Sequence, residues 1–319
     1  MKLFVAAALA LAWTSAAQAQ SFPAKPVRLV TQFGAGSPGD VISRVLANQM
    51  REFLGQAVIV DNRVGGGGVL AAGVTAPAAP DGYTVVLLNT TVPVTAVALS
   101  KTYSFDPARA FTPITTINDT VSVLLANPAL GASSLVQALA MAKSQPGGLS
   151  FGTPGIGSTH HLAGEEMRML ADASLVHVPY KTTPLLDVAA GVIPLAYSVL
   201  ARGLPLVKTG KLKALAVLGE RRSPLLPDVP TVQEVVARFE PPPAWTGLFG
   251  PAGLPATVLR RLHGDAVKAV NSKEGREKLL AAEFEPRTSA SPEEFAAMIR
   301  RDVALVAKIV KAAGIESAD

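Results

Sequence analysis

Two glycine-rich turns carry the residue types best able to do chemistry in this chain. The first is Phe33-Gly34-Ala35-Gly36-Ser37-Pro38-Gly39-Asp40, and the second is Gly152-Thr153-Pro154-Gly155-Ile156-Gly157-Ser158-Thr159-His160-His161. Each lies between a strand candidate and a helical pattern. Glycine lets the backbone approach a ligand closely and turn successive N–H groups toward it. The helix start that follows adds unpaired donors and partial positive charge. The hydroxyls of Ser37, Ser158 and Thr159 can donate as well. Two such turns converging on a cleft would cage the oxygens of a carboxylate without a lysine or a metal. The plainer alternative is a pair of ordinary strand-to-helix turns with Ser or Asp as N-caps, which parallel sheets use often.

Other chemistries fit less well. Neither turn is read as a nucleotide site: no Gly-Lys-Ser/Thr triplet occurs, and the export signal described below leads to a compartment without NAD or ATP. Adjacent helical residues point about 100° apart, so His160 and His161 cannot both face one metal. The remaining histidines, His177 and His263, show no ligand spacing. One histidine of the adjacent pair is expected to cap the helix or touch the ligand while the other packs. No Gly-x-Ser-x-Gly elbow is present, and the nearness of Ser158 to His160 suits capping better than a triad. No metal, no cofactor and no catalytic residue is expected.

The first residues set the compartment. Met1-Lys2 is a positive start, Leu3 to Trp13 is almost wholly apolar, and Ala17-Gln18-Ala19 is a small-x-small cleavage pattern. That order reads as a secretory signal cut after Ala19. The alternative, a membrane anchor, is disfavoured because a span needs ~20 apolar residues. The absence of cysteine excludes disulfides and thiolate chemistry. The net charge of +5 is spread over scattered residues, with no basic run longer than a pair such as Arg221-Arg222. With few aromatics and none interleaved with those pairs, nucleic acid is not an expected partner. A mildly positive field suits a small organic anion.

The elements that must position the turns follow an alternating pattern. Val27 to Thr31, Val58 to Val60 and Tyr83 to Leu88 read as strands, separated by helices over Asp40 to Phe53 and near Val69 to Ala76. The glycine block Gly65 to Gly68 leads into the second of these helices, with Asn62-Arg63 as a candidate pin for it. The pattern restarts with helices over Leu135 to Lys143 and Thr159 to Leu170. Its strands are Leu149 to Gly152, Leu175 to Val178, Ile193 to Tyr197 and Leu212 to Val217. Pro241-Pro242-Pro243 marks a crossing or linker. Beyond Trp245 the chain reads as mainly helical, ending in a helix over Pro292 to Ala313 capped by Ser291. The 319 residues suit about two domains at ~100–200 residues each. Two parallel α/β halves place ligand sites at the carboxyl ends of their strands, hence in the cleft between them.

An ordered series of motifs then carries a resemblance. It comprises Val60-Asp61-Asn62-Arg63-Val64-Gly65-Gly66-Gly67-Gly68, Ala79-Pro80-Asp81-Gly82-Tyr83-Thr84, His161-Leu162-Ala163-Gly164-Glu165 and His177-Val178-Pro179-Tyr180-Lys181. Gly210-Lys211-Leu212-Lys213-Ala214-Leu215-Ala216-Val217, Leu226-Pro227-Asp228-Val229-Pro230-Thr231 and Trp245-Thr246-Gly247-Leu248-Phe249-Gly250-Pro251-Ala252-Gly253 continue it. In order and spacing the chain resembles the Bug family, the extracytoplasmic solute receptors of tripartite tricarboxylate transporters. The resemblance implies an α/β, two-lobed periplasmic-binding-protein-like fold (a type II Venus flytrap) with a hinge. Lobe one would span 21–122 plus 236–319, and lobe two 123–235. It also implies a carboxylate ligand, gripped by Phe33, Gly34, Ala35, Gly36 and Ser37 in lobe one. In lobe two the gripping residues would be Gly155, Gly157, Ser158, Thr159 and His160, with side-chain contacts from Asn89, Thr90 and Thr91. Asp40, Tyr180 and Ser198 complete the expected set.

Two departures from the family pattern bear on the ligand. Ser198 stands where many relatives carry an acid that would suit an amino group, so a simple carboxylate is favoured over an amino acid. The segment Lys181 to Asp187 is about two residues shorter than usual, which changes the pocket border. Expected partners are the small anion and membrane transporter subunits. A sensor kinase ectodomain is the runner-up, because both would read out lobe closure, and a periplasmic hydrolase is a third reading. A monomer is expected, since the lobes must hinge freely.

Overall fold

The computed structural model describes residues 22–99, 103–180 and 183–315. The export segment expected at residues 1–19 lies outside the described residues, as do Lys181 and Thr182 of the shortened segment. The chain begins with β1 (Val27–Thr31), α1 (Pro38–Leu54), β2 (Val58–Asn62), α2 (Val69–Thr75), β3 (Thr84–Asn89) and β4 (Phe111–Asp119). Next come β5 (Ser122–Ala126), α3 (Leu135–Ser144), β6 (Leu149–Thr153), α4 (Thr159–Ala171) and β7 (Leu175–Pro179). They are followed by α5 (Leu185–Ala189), β8 (Leu195–Val199), α6 (Leu200–Lys208), β9 (Lys213–Leu218) and α7 (Val232–Val235). The last part holds β10 (Trp245–Pro251), α8 (Ala256–Asn271), α9 (Lys273–Ala281), β11 (Glu285–Pro286) and α10 (Pro292–Ala313).

Two sheets result, one per lobe, in the orders β11-β4-β10-β3-β1-β2 and β7-β6-β8-β5-β9. They share one plan. Three strands run parallel in each, β2-β1-β3 and β7-β6-β8. Beside them sits an antiparallel strand, β10 in one lobe and β5 in the other. The purely parallel sheets expected from the repeating pattern are therefore mixed sheets. The reason is connectivity: β10 and β5 are the strands that arrive from the opposite lobe, and each enters its sheet against the grain.

Burial explains why the parallel strands form where they do. In β3, Val85 and Leu87 pack into the core under α1 and α8, while Val86 and Leu88 pack into the core on the other face with α2 and α10. A strand covered on both faces needs a continuous apolar run rather than alternation. Each such fully buried side chain contributes about 1.5–3 kcal/mol. In α1, Ile42, Val45, Leu46, Met50 and Leu54 fall on one stripe and are buried against Val27 and Leu29. Ser37 caps that helix, Pro38 opens it, and Gly55 ends it at φ +71°. Lobe two is built likewise, with one core under α3 and α4 and another under α5 and α6.

The chain crosses between the lobes at the β4–β5 junction and again just before β10. The two crossings are tied together where the Thr120 N–H donates to the Ala244 carbonyl at 2.7 Å. Pro241 to Pro243, expected at a crossing, stand directly before Ala244. The lobes also touch through α10, which packs on α4.

That contact holds a buried carboxyl. Glu166 on α4 is 6% exposed. One of its oxygens accepts from the Glu240 N–H at 3.2 Å, while the other has no partner among the described residues. Burial raises its pKa to about 7, with the Glu240 N–H and Lys308 acting against the shift and the Glu240 charge adding to it. A folded-state pKa above the ordinary 4.5 means that the folded protein holds this proton more tightly than the unfolded chain does. Its contribution is full below the ordinary value and is lost as pH rises through about 7. We expect Glu166→Gln, which keeps the acceptor and removes the charge, to melt at the same temperature as the parent at pH 4. At pH 8.5 it should be more stable by about 1–3 kcal/mol. Equal melting temperatures at pH 8.5 would contradict this account of the contact.

Candidate functional site

The carboxyl ends of β1 and β6 feed the two glycine turns, and both turns open onto one cavity of about 530 Å³ between the lobes. Local chemistry shapes each turn. In lobe one, Gly36 turns at φ +77°. Its N–H donates to Asp40 Oδ2 at 2.9 Å, and the Ser37 N–H donates to the Gly34 carbonyl at 3.0 Å. Asn62 Nδ2 donates to the Phe33 carbonyl and to Asp40 Oδ1, each at 2.8 Å. Asn62 thus pins the first turn, not the glycine block beside it in sequence. Pro38 has no N–H, and the Asp40 N–H is taken by Ser37 Oγ at 3.3 Å. The Gly39 N–H finds no acceptor among the described residues, and Gly39 lines the cavity.

The lobe-two turn is built on the same logic with different groups. Gly155 and Gly157 stand at φ +133° and +75°. Ser158 caps α4, accepting from the His161 N–H at 3.2 Å and donating its own hydroxyl to the Gly155 carbonyl at 2.8 Å. The Gly157 N–H donates to His161 Nδ1 at 3.1 Å. An imidazole nitrogen that accepts is unprotonated, so His161 is neutral with its proton on Nε2. Burial lowers the pKa of His161 to about 4 and does the same for His160. His177, stacked on His161 with ring centroids 3.9 Å apart, is also lowered to about 4, by burial first and then by His161. The N–H groups of Thr159 and His160, in the first turn of α4, find no acceptor among the described residues.

The helix starts of α1 and α4 therefore present spare donors to one space from opposite lobes. The lobes nearly touch beside this space: Thr90 Oγ1, just after β3, and Thr159 Oγ1 are 3.4 Å apart. Thr159 also donates to the Pro243 carbonyl of the crossing segment at 3.3 Å, and His160 Nε2 bonds Ser122 Oγ at 2.9 Å. Ser122 opens β5, so both crossings border the cavity.

Of the expected residues, Phe33, Ser37, Asn89, Thr90, Thr91, Gly155, Gly157, Ser158, Thr159 and His160 line this cavity. Gly34, Ala35, Gly36, Asp40, Tyr180 and Ser198 are not among its lining residues. The physical reasons differ. Asp40 is 2% exposed, and its carboxylate is bound by Asn62, the Gly36 N–H and Arg44. Burial pushes its pKa up, but these donors outweigh that and hold it below the usual range. Its capture of Gly36 also removes that amide from the ligand's reach. The Tyr180 hydroxyl donates to Asp187 Oδ2 at 2.8 Å, and Ser198 is buried in β8 opposite Val123.

Sequence reasoning missed several lining residues. Gly66 and Gly67 line the cavity with φ +56° and +63°, just beyond the end of β2. Arg202 lines it from the first turn of α6, just beyond β8. Both positions follow strand ends, so the strand-end rule that found the two turns could have found them. The first turn also carries Gly34-x-Gly36-x-x-Gly39, with Asp61 at the end of β2, which is the spacing of a dinucleotide fingerprint. Asp61 does not serve a ribose here. It pairs with Arg28 and, at 3.0 Å, with Arg63, and it does not line the cavity.

Residues 42–315 match the tripartite tricarboxylate transporter family receptor, TctC. The chain belongs to that family. The receptor is 36% identical over 250 residues to a UPF0065 protein of Bordetella pertussis, covering 78% of this chain and 77% of the relative. It is 30% identical over 300 residues to Protein BugT of the same species, covering 93% and 91%. Among solved structures, R. palustris Rpa4515 with adipate superposes with a TM-score of 0.82 at 30% identity, covering 92% of this chain and 99% of that one. MatC from Rhodopseudomonas palustris with bound malate gives a TM-score of 0.76 at 27% identity, covering 91% and 100%. The fold is that of the periplasmic binding proteins, and the receptor is a solute-binding protein, not an enzyme.

Proposed function

We propose that this receptor captures a small organic carboxylate in the cleft between its lobes and delivers it to a tripartite tricarboxylate-type transporter. One observation carries the reading. Spare amide donors of two helix starts, one per lobe, face a single cavity with no carboxylate side chain among its described lining residues. Such a site stabilises negative charge and repels little of it. Relatives whose solved structures hold adipate and malate support the ligand class. Ligand would bind an open form through one helix start, and its far end would recruit the other, so the closed state is selected by differential affinity. No bond is made or broken. The receptor would be exported to the periplasm with its signal cut after Ala19, would form lobes over 21–122 plus 236–319 and over 123–235, and would act as a monomer.

A thermal-shift screen of the mature protein against small carboxylates tests this. A true ligand at about 100 times its Kd adds about 2.7 kcal/mol of stability. For a chain of this size that raises the melting temperature by roughly 4–5 °C. Mono-, di-, tri- and aromatic carboxylates that all leave the melting temperature unmoved would refute carboxylate capture.

A further inference from the structure

Among the described residues that line the cavity, Arg202 is the only side chain with a full charge. It is exposed, and it makes no ion pair and no hydrogen bond among the described residues. Among the described residues, Arg44 is paired with Asp40, Arg63 with Asp61 and Arg287 with Asp119. The position of Arg202 is also electrostatically unfavourable in the unliganded protein. It stands in the first turn of α6, whose Val199 cap offers no side-chain acceptor and whose first turn holds no acid. A cation there adds to the positive end of the helix dipole instead of offsetting it.

We propose that Arg202 is a specificity-determining residue that pairs with a second anionic group of the ligand, so that the receptor selects dianions over monoanions. This rests on the carboxylate reading above and deepens it. The amide donors of Gly39, Thr159 and His160 suit carboxylate oxygens, but they carry only partial charges. A guanidinium adds a full charge and a planar fork that takes a carboxylate in a bidentate grip. With His160 neutral and no acid on the described wall, no side chain there offers an ammonium group an opposite charge, and a second anion is the charge that Arg202 lacks. Leu99, Tyr103, Ile156 and Val199 line the same cavity and suit a hydrocarbon or aromatic spacer between the two anions.

The test compares matched acids that differ by one carboxylate: adipate with hexanoate, succinate with butyrate, and phthalate with benzoate. Affinities are measured by titration calorimetry for the parent, Arg202→Gln and Arg202→Lys. The parent should prefer the diacid of at least one pair, and Arg202→Gln should cut that preference about tenfold, with partial recovery in Arg202→Lys. The salt dependence of diacid binding should also weaken in Arg202→Gln. A parent that binds diacids and monoacids alike, or an Arg202→Gln variant that weakens both equally or neither, overturns the role of Arg202 while leaving carboxylate capture standing. A parent that binds none of these acids and no tricarboxylate removes the carboxylate reading and the role of Arg202 with it.

Discussion

Replacing Gly157 by valine should abolish ligand binding while the protein stays folded. Gly157 stands at φ +75°, where any L side chain is strained, at a cost of about 1–2 kcal/mol. A Cβ there would sit 3.1 Å from Leu99 Cδ1 and 3.7 Å from Thr95 Cγ2, both on the opposite lobe. The branched methyls of valine would occupy the space into which the lobes close. The turn would have to shift, which would disrupt the hydrogen bond from the residue-157 N–H to His161 Nδ1. The spare donors of Thr159 and His160 follow directly, so any shift of the turn misdirects them. Affinity for the ligand found by thermal shift should fall about 100-fold or more, which corresponds to about 2.7 kcal/mol of lost binding energy. Unfolding stability should fall by only about 1–2 kcal/mol, because the strain is local to one turn. Calorimetry and urea unfolding on the same preparation separate the two. Binding retained within a few-fold of the parent would show that the turn is an ordinary helix cap and not a cradle.

Gly164→Val, within α4, should do the reverse and damage the fold first. Gly164 has helical backbone, so its conformation is not the constraint. Its Cβ would lie 2.2 Å from Phe151 Cε2 and 2.4 Å from Cζ. Phe151 on β6 is fully buried, edge-on to Tyr197 with ring centroids 5.8 Å apart and beside His177 at 5.3 Å. A ring held on those sides has nowhere to move, so α4 must lift from the sheet. Overpacking of this kind costs about 3 kcal/mol, which lowers the melting temperature by roughly 5 °C. Binding falls as well, since α4 carries the lobe-two donors, but here the loss of stability accounts for it. A melting temperature within a degree or two of the parent would mean that α4 does not rest on Phe151 as described.

The sequence made some elements plain and concealed others for physical reasons. Helix α10 was legible to the residue, from Pro292 to Ala313, because its cap, first-turn proline and acids are local signals. Strand β3 was legible because burial on both faces requires an unbroken apolar run. Strand β10 was not. Its Gly247, Gly250 and Pro251 have the composition of a loop, yet every residue of the strand is buried. Gly247 is small because a Cβ would lie 2.4 Å from Phe295, so the strand owes its residues to a helix some distance along the chain. Strand β4 hid for a related reason: Thr115, Thr116 and Asn118 are buried polar residues inside it.

The candidate site divides in the same way. Glycines at positive φ and Ser caps are set by neighbours a few residues away, so the sequence by itself determined that two turns here end strands and start helices with donors exposed. Which donors stay spare was decided only in three dimensions. Asn62 and Arg44 fix Asp40, which consumes the Gly36 amide, while the buried neutral His161 consumes that of Gly157. The admission of Gly66, Gly67 and Arg202 to the cavity depends on how strands β2 and β8 are placed in their sheets. Hydrogen bonding within a turn is short-range and leaves its mark in adjacent letters. Competition for an amide or a place on a cavity wall is settled between segments far apart in the chain, and only packing brings those together.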